Sequence, residues 1–286
     1  MTRTAHALAF LVVFIWGFNF IVIRWGMEAM HPMTMTALRF LLTAVPLVFF
    51  IKKPDVPMRY VVIYGVLFGS GVWCLTNLAI ALGTPAGMAS LLLQLSPFLT
   101  VLVAVFGFGE RLSRVQILGI IIAFIGFITI CLPQIQQPSA LGMGLVLLAA
   151  VCWTVCNVII KHSKPKNVIS FTVWSSVFVP VPIVVLSAVY ALFYPLDWHT
   201  FITIDNYQGI VSVLFQAGIV TLFGYGVWTH LISRYGLSVV APYTLLVPIF
   251  GVFFGGLFYD ETLSTIEIVG AGLVLAGLVL LMRKSA

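Results

Sequence analysis

The sequence predicts an all-α membrane protein of ten transmembrane helices, built as two inverted five-helix repeats. Three observations carry this: the composition, the spacing of the apolar runs, and an internal similarity that the charges divide between two faces. Hydrophobic residues make up 62% of the 286 residues and charged residues 8%, with a mean hydropathy of +1.16. Soluble domains run at roughly 45–50% and about 25%. Length alone would suggest about two soluble domains, but this chain has too little polar surface to cover one. Ten helices of about 20 residues use about 200 positions, and the rest leaves only about eight residues per loop or tail, too few for a soluble catalytic domain.

Apolar runs mark spans near residues 5–25, 34–51, 60–80, 86–106 and 115–132, then 140–160, 170–193, 208–230, 237–258 and 266–282. The breaks are short and turn-like: Lys52-Lys53-Pro54-Asp55, Gly83-Thr84-Pro85, Pro133 to Pro138, Lys164-Pro165-Lys166-Asn167 and Asp197 to Asn206. Each run must be helical, because in lipid an isolated strand leaves its backbone groups unsatisfied. A barrel would need alternating segments of about ten residues. The first run contains Trp16 and Asn19 and has no small-residue cleavage site before the next polar stretch, so it reads as the first helix and not as a signal peptide.

With the N-terminus inside, the tails and even-numbered loops carry Arg3, Lys52, Lys53, Arg59, Arg111, Arg114, Lys161, Lys164, Lys166, Arg234, Arg283 and Lys284, 12 of the 14 basic residues. Only Arg24 and Arg39 remain. The positive-inside rule therefore places both termini in the cytoplasm, and the net charge of +6 records orientation and not a nucleic-acid partner. A shift of 151 superimposes Pro97 on Pro248, Glu110-Arg111-Leu112-Ser113 on Glu261-Thr262-Leu263-Ser264, Gly119 on Gly270 and Gly126 on Gly277; Trp16 and Asn19 match Trp153 and Asn157 at 137 or 138. Residues 1–133 and 134–286 are thus expected to be two five-helix repeats. An odd number of spans inverts the second copy, the plan of secondary transporters whose cargo site lies at the midplane between halves.

The chain also resembles the EamA family of the drug/metabolite transporter superfamily, and within it the bacterial inner-membrane exporters of O-acetylserine and cysteine. The resemblance rests on Trp16-Gly17-Phe18-Asn19-Phe20, Leu38-Arg39-Phe40, Pro85 to Leu91, Phe108-Gly109-Glu110-Arg111-Leu112, Gly224-Tyr225-Gly226-Val227-Trp228, Val240-Ala241-Pro242, Leu245-Leu246-Val247-Pro248 and Asp260-Glu261-Thr262-Leu263. It departs at Thr262, where such exporters carry Arg, and in the 193–207 loop. It implies export of small polar metabolites across the bacterial inner membrane.

Arg39 is the ionisable residue that the sequence sets within a span. A cation there costs several kcal/mol on insertion scales, of order 3, and should face the bundle interior or water. It either grips a cargo carboxylate, closes an outer gate with Glu28, or snorkels from a depth of about 7 Å. Asn19 with Asn157, and Trp16 with Trp153, are repeat-related polar pairs expected to line one cavity; helix-to-helix hydrogen bonding is the alternative. Asn77, Gln94, Gln216, Thr221, Tyr243 and Thr244 carry a weaker form of the same expectation. Trp73, Phe98, Tyr225 and Trp228 lie near polar positions, with packing the simpler reading. Pro97 and Pro248 are candidate hinges inside helices 4 and 9. Gly119, Gly126, Gly270 and Gly277 permit close helix approach, with a homodimer seam as the alternative.

No metal site, cofactor or catalytic residue is expected. Cys74, Cys131, Cys152 and Cys156 fall in apolar spans, and the five histidines are scattered; no phosphate loop or nucleophile elbow is present. The span interiors lack a carboxylate of the sort that proton-coupled antiport uses, which favours facilitated export. The rival readings are a proton-driven exporter of drugs or organic cations, and a membrane scaffold with no cargo.

Overall fold

The computed structural model of the protein describes residues 1–82, 84, 89, 92–131, 140–193, 207–259 and 264–282. Most of the Pro85 to Leu91 stretch, the Pro133 to Pro138 break with the expected repeat boundary, the Asp197 to Asn206 loop, Asp260 to Leu263, and Arg283 with Lys284 lie outside them. Among the described residues all regular structure is helical.

Among the described residues the main helical segments follow the expected order: α1 Arg3–Ala29, α2 Pro32–Phe49, α3 Met58–Ile80, α4 Leu95–Phe108, α5 Arg114–Cys131, α6 Ala140–Ser163, α7 Val168–Leu192, α8 Tyr207–Tyr235, α9 Leu237–Phe258 and α10 Thr265–Met282. Seven of them are long and apolar enough to cross a membrane, and the other three are shorter apolar helices. Local chemistry sets their ends. The Thr2 hydroxyl accepts the Ala5 N–H at 3.2 Å to cap α1, and the Asn167 side chain accepts the Ser170 N–H at 2.9 Å to cap α7. Each satisfies one of the first-turn donors a helix leaves open. Gly109, at φ +67°, ends α4, and Gly236, at φ +95°, turns the chain from α8 into α9, conformations that favour glycine.

The bundle surface is apolar: Phe49, Phe50, Phe106 and Leu192 are each at least 78% exposed. In water such a surface would aggregate; against lipid it is the solvated face. This is a multi-pass membrane protein, and its polar groups turn inward. Inside, α1 packs on α8 and α9 while α6 packs on α3 and α4; α2 packs on α8 while α7 packs on α3. The most extensive contact is α5 against α10, where a Cβ on Gly119 would lie 2.7 Å from the Gly277 carbonyl and one on Gly126 would lie 2.7 Å from the Gly270 carbonyl. Glycine lets the two backbones touch there.

Some departures from regular α-helix were not expected. Val66–Cys74 within α3 and Gln216–Tyr225 within α8 are π-helical, an uncommon conformation often found at functional sites. In α9, Ala241–Leu246 is 3-10 helix, and the α-helix resumes at Val247.

Candidate functional site

The two π-helical segments face the same place. Trp73 and Val220, with Tyr225 at the end of the second segment, line an internal cavity together with Trp16, Asn19 and Phe20 of α1, Trp153 of α6, Val247 of α9, and Leu93 and Gln94 just before α4. The space open to the centres of water molecules is about 20 Å³, room for one or two waters. The cavity is therefore small in this conformation. Trp16 and Trp153 meet edge to face with centroids 6.1 Å apart, and Trp16 lies over Tyr225 at 4.5 Å. Gly224 makes room for the indole, since a Cβ there would come within 2.8 Å of Trp16 Nε1. Trp16 Nε1, Asn19 Oδ1 and Gln94 Oε1 are buried without a hydrogen-bond partner. Such groups normally find partners, and here they stand together at one cavity.

Arg39 packs against Trp73, next to the cavity. Its guanidinium is 4.6 Å from the Trp73 ring centroid, and the residue is 1% exposed. Nε donates to the Thr221 hydroxyl at 2.9 Å and Nη1 to the Gln216 side-chain Oε1 at 3.3 Å, while the Gln216 side-chain Nε2 donates in turn to the Ser212 hydroxyl at 3.0 Å. The Tyr225 hydroxyl lies beside the guanidinium. Among the described residues no carboxylate pairs with it. Two of the sequence readings are not seen in this conformation. Glu28 pairs with Arg24 at 3.6 Å instead of with Arg39, and Arg39 is tied to α8 inside the bundle by Thr221, Gln216 and the Trp73 face instead of snorkelling, with its Nη2 left without a partner.

Four of the nine sequence candidates, Trp16, Asn19, Gln94 and Trp153, thus line the cavity, and Arg39 with Gln216 forms the polar cluster next to it. The remaining three face elsewhere. Asn157 donates to the Thr100 hydroxyl at 3.2 Å and Asn77 to the Thr36 hydroxyl at 2.6 Å, helix-to-helix bonds in both cases. Tyr243 shares a hydrogen bond with His6 of α1. The expected pairing of Asn19 with Asn157 in one cavity is not seen in this conformation, since Thr100 takes the Asn157 amide. Of the weaker candidates, Thr221 serves Arg39, and the Thr244 hydroxyl donates to the Ala241 carbonyl at 2.8 Å.

Pro97 and Pro248 sit in the first turn of a helical segment, each after an interruption of the α-helix, and not inside an unbroken helix as the sequence suggested. A missing N–H costs little at that position. Phe20, Leu93, Val220 and Val247 were not foreseen as lining residues. No His, Cys, Asp or Glu cluster able to hold a metal ion occurs among the described residues; Cys74, Cys152 and Cys156 are buried free thiols.

At the end of the bundle that carries most of the basic residues, Glu110 joins three elements. Its carboxylate meets Lys161 Nζ of α6 at 3.0 Å and accepts both the N–H of Ser238 in α9, at 3.2 Å, and the Ser238 hydroxyl. Burial pushes the carboxyl up, but the hydrogen bonds from Ser238 and Lys161 outweigh it and hold the group below its ordinary range.

Known proteins place this architecture. A crystal structure aligns over 99% of this chain and 98% of its own with a TM-score of 0.73 at 18% identity, a likeness of fold. The chain is 37% identical to the probable amino-acid metabolite efflux pump of Escherichia coli K12 (97% of this chain, 94% of the relative) and 38% identical to the protein of that description in Salmonella typhimurium LT2 (97% and 94%). It is 24% identical to a probable terminal-alkyne amino-acid exporter of Streptantibioticus cattleyicolor (100% and 95%). Residues 3–132 and 140–283 match the EamA-like transporter family. A membrane transporter of small molecules, the chain belongs to the EamA-like transporter family.

Proposed function

We propose that this protein exports amino acids or close derivatives, O-acetylserine and cysteine among them, through the bacterial inner membrane by alternating access. The observation that carries this reading is the small cavity at the meeting of α1, α6 and the π-helical segments, lined by unpartnered polar atoms and set beside a buried arginine without a carboxylate. A guanidinium in that state is a ready receptor for a cargo carboxylate. The contacts of α1 with α8 and α9 mirror those of α6 with α3 and α4, which supports two inverted halves, residues 1–133 and 134–286, each of five spans with both termini cytoplasmic. The relatives described as amino-acid efflux pumps support the cargo class.

In the proposed cycle one half rocks against the other, opening the cavity to each face in turn. The interruptions before Pro97 in α4 and Pro248 in α9 supply the hinges. Substrate gradient drives the step, since the described lining holds no acid to trade a proton. The cycle involves no covalent chemistry and is not enzymatic. The test is to purify the protein into liposomes loaded with labelled cysteine or O-acetylserine and follow release. Release that is absent with wild-type protein refutes export, and release unchanged by Arg39→Ala together with Asn19→Ala refutes the site.

A further inference from the structure

We infer that the cavity between Trp16 and Trp153 receives the ammonium group of the cargo, so that the site selects zwitterions over acids or neutral solutes. This rests on the export reading and deepens it. An ammonium group is about the size of a water molecule, and the cavity holds space for one or two waters. Its unpartnered oxygens, Asn19 Oδ1 and Gln94 Oε1, are acceptors 3% exposed at the residue level, and an ammonium brings three N–H donors. Trp16, Trp73, Trp153 and Tyr225 line it, and aromatic rings attract a cation most strongly where it is desolvated.

Charge balance points the same way. A free monocation in this cavity would meet no compensating carboxylate, and the nearest formal charge among the polar groups described around it is the positive Arg39. A zwitterion supplies its own carboxylate, which that guanidinium attracts. Trp73 and Tyr225 line the cavity and also touch Arg39, so the two positions share these side chains and are close enough for one small molecule to span both.

The inference is tested in proteoliposomes carrying labelled L-cysteine under reducing conditions. Inhibition is compared for S-methyl-L-cysteine, its N-acetyl derivative, which lacks the ammonium, and its methyl ester, which keeps it. Expected is roughly tenfold weaker inhibition by the N-acetyl compound. Asn19→Leu and Trp153→Leu should raise the KM for cysteine by about as much, with Trp153→Phe recovering part of the loss because a π face returns. If cysteine moves and the N-acetyl compound competes as well as its parent, the inference falls while export stands. If Asn19→Leu weakens parent and N-acetyl compound equally, Asn19 acts on shape alone and the inference falls too. If wild-type protein moves no cysteine, the export reading fails and takes the inference with it.

Discussion

Replacing Gly277 by alanine places a methyl group into the α5–α10 seam, where nothing can rotate aside. The new Cβ would lie 2.6 Å from the Ala123 N and 2.8 Å from the Ala123 Cβ, while ordinary contact begins at 3.4 Å. The Gly119 carbonyl oxygen is nearer still, so the helices must part by about 1 Å at that point, and a gap of 0.5–1 Å already forfeits a quarter to a half of the dispersion energy of each neighbouring contact. Overpacking of this kind costs about 1–3 kcal/mol, offset by roughly 0.5–1 kcal/mol from alanine's better helix propensity. A net loss of about 1–2 kcal/mol corresponds to a Tm lower by about 2–6 °C. Gly272, five residues earlier on the same helix, has nothing within 4 Å of its Cβ position, so Gly272→Ala should be neutral or slightly stabilising. Thermal unfolding of both variants in detergent, read by loss of the monodisperse peak in size-exclusion chromatography, measures the difference. A Gly277→Ala protein as stable as wild type, or a Gly272→Ala protein that loses as much, would refute the close-packing argument.

Other outcomes follow from the polar contacts. Gly224→Ala should displace the Trp16 indole, which would lie 2.8 Å from the added carbon; Trp fluorescence should shift and transport fall severalfold with little change in expression. Glu110→Gln removes the ion pair to Lys161 but keeps an acceptor for Ser238; with both side chains about a fifth exposed, the loss should be about 1 kcal/mol, read as a lower Tm. The same contact sets a pH dependence. Because the Glu110 carboxyl is held below its ordinary range, its contribution is complete above the usual glutamate pKa of about 4.3 and is lost as pH falls through the lower folded value. Comparing wild type with Glu110→Gln should show the stability gap narrow only in that acid window; a gap constant with pH would contradict the ion-pair reading.

Much of this was legible in the residues because the bilayer imposes strong rules. Apolar runs, prolines and turn residues locate the helices, and a polar residue in a span must turn inward, which is why Trp16, Asn19, Gln94 and Trp153 could be named for the cavity and Arg39 for the interior. Which inward partner such a residue meets depends on helix rotation, and no local pattern encodes that. Asn157 and Asn77 satisfied the same inward rule on Thr100 and Thr36, and Tyr243 did so on His6. The π-helical segments left no trace either. Phe68, Gly69 and Trp73 read equally well as α-helix, and only tertiary contact, such as Gly69 against Val179, decides the local winding. The Glu110 cluster joins residues 51 and 128 positions apart in sequence, a distance at which spacing carries no signal.

The most direct measurement is release of labelled cysteine from proteoliposomes by wild type, Arg39→Lys and Arg39→Gln. A bidentate guanidinium grip on a carboxylate is not reproduced by an ammonium. Wild type should release cysteine, Arg39→Lys should keep partial release with a KM raised by about tenfold or more, and Arg39→Gln should release almost none while still running as a folded monodisperse protein. Full release by Arg39→Gln, at an unchanged KM, would contradict a cargo site built beside Arg39.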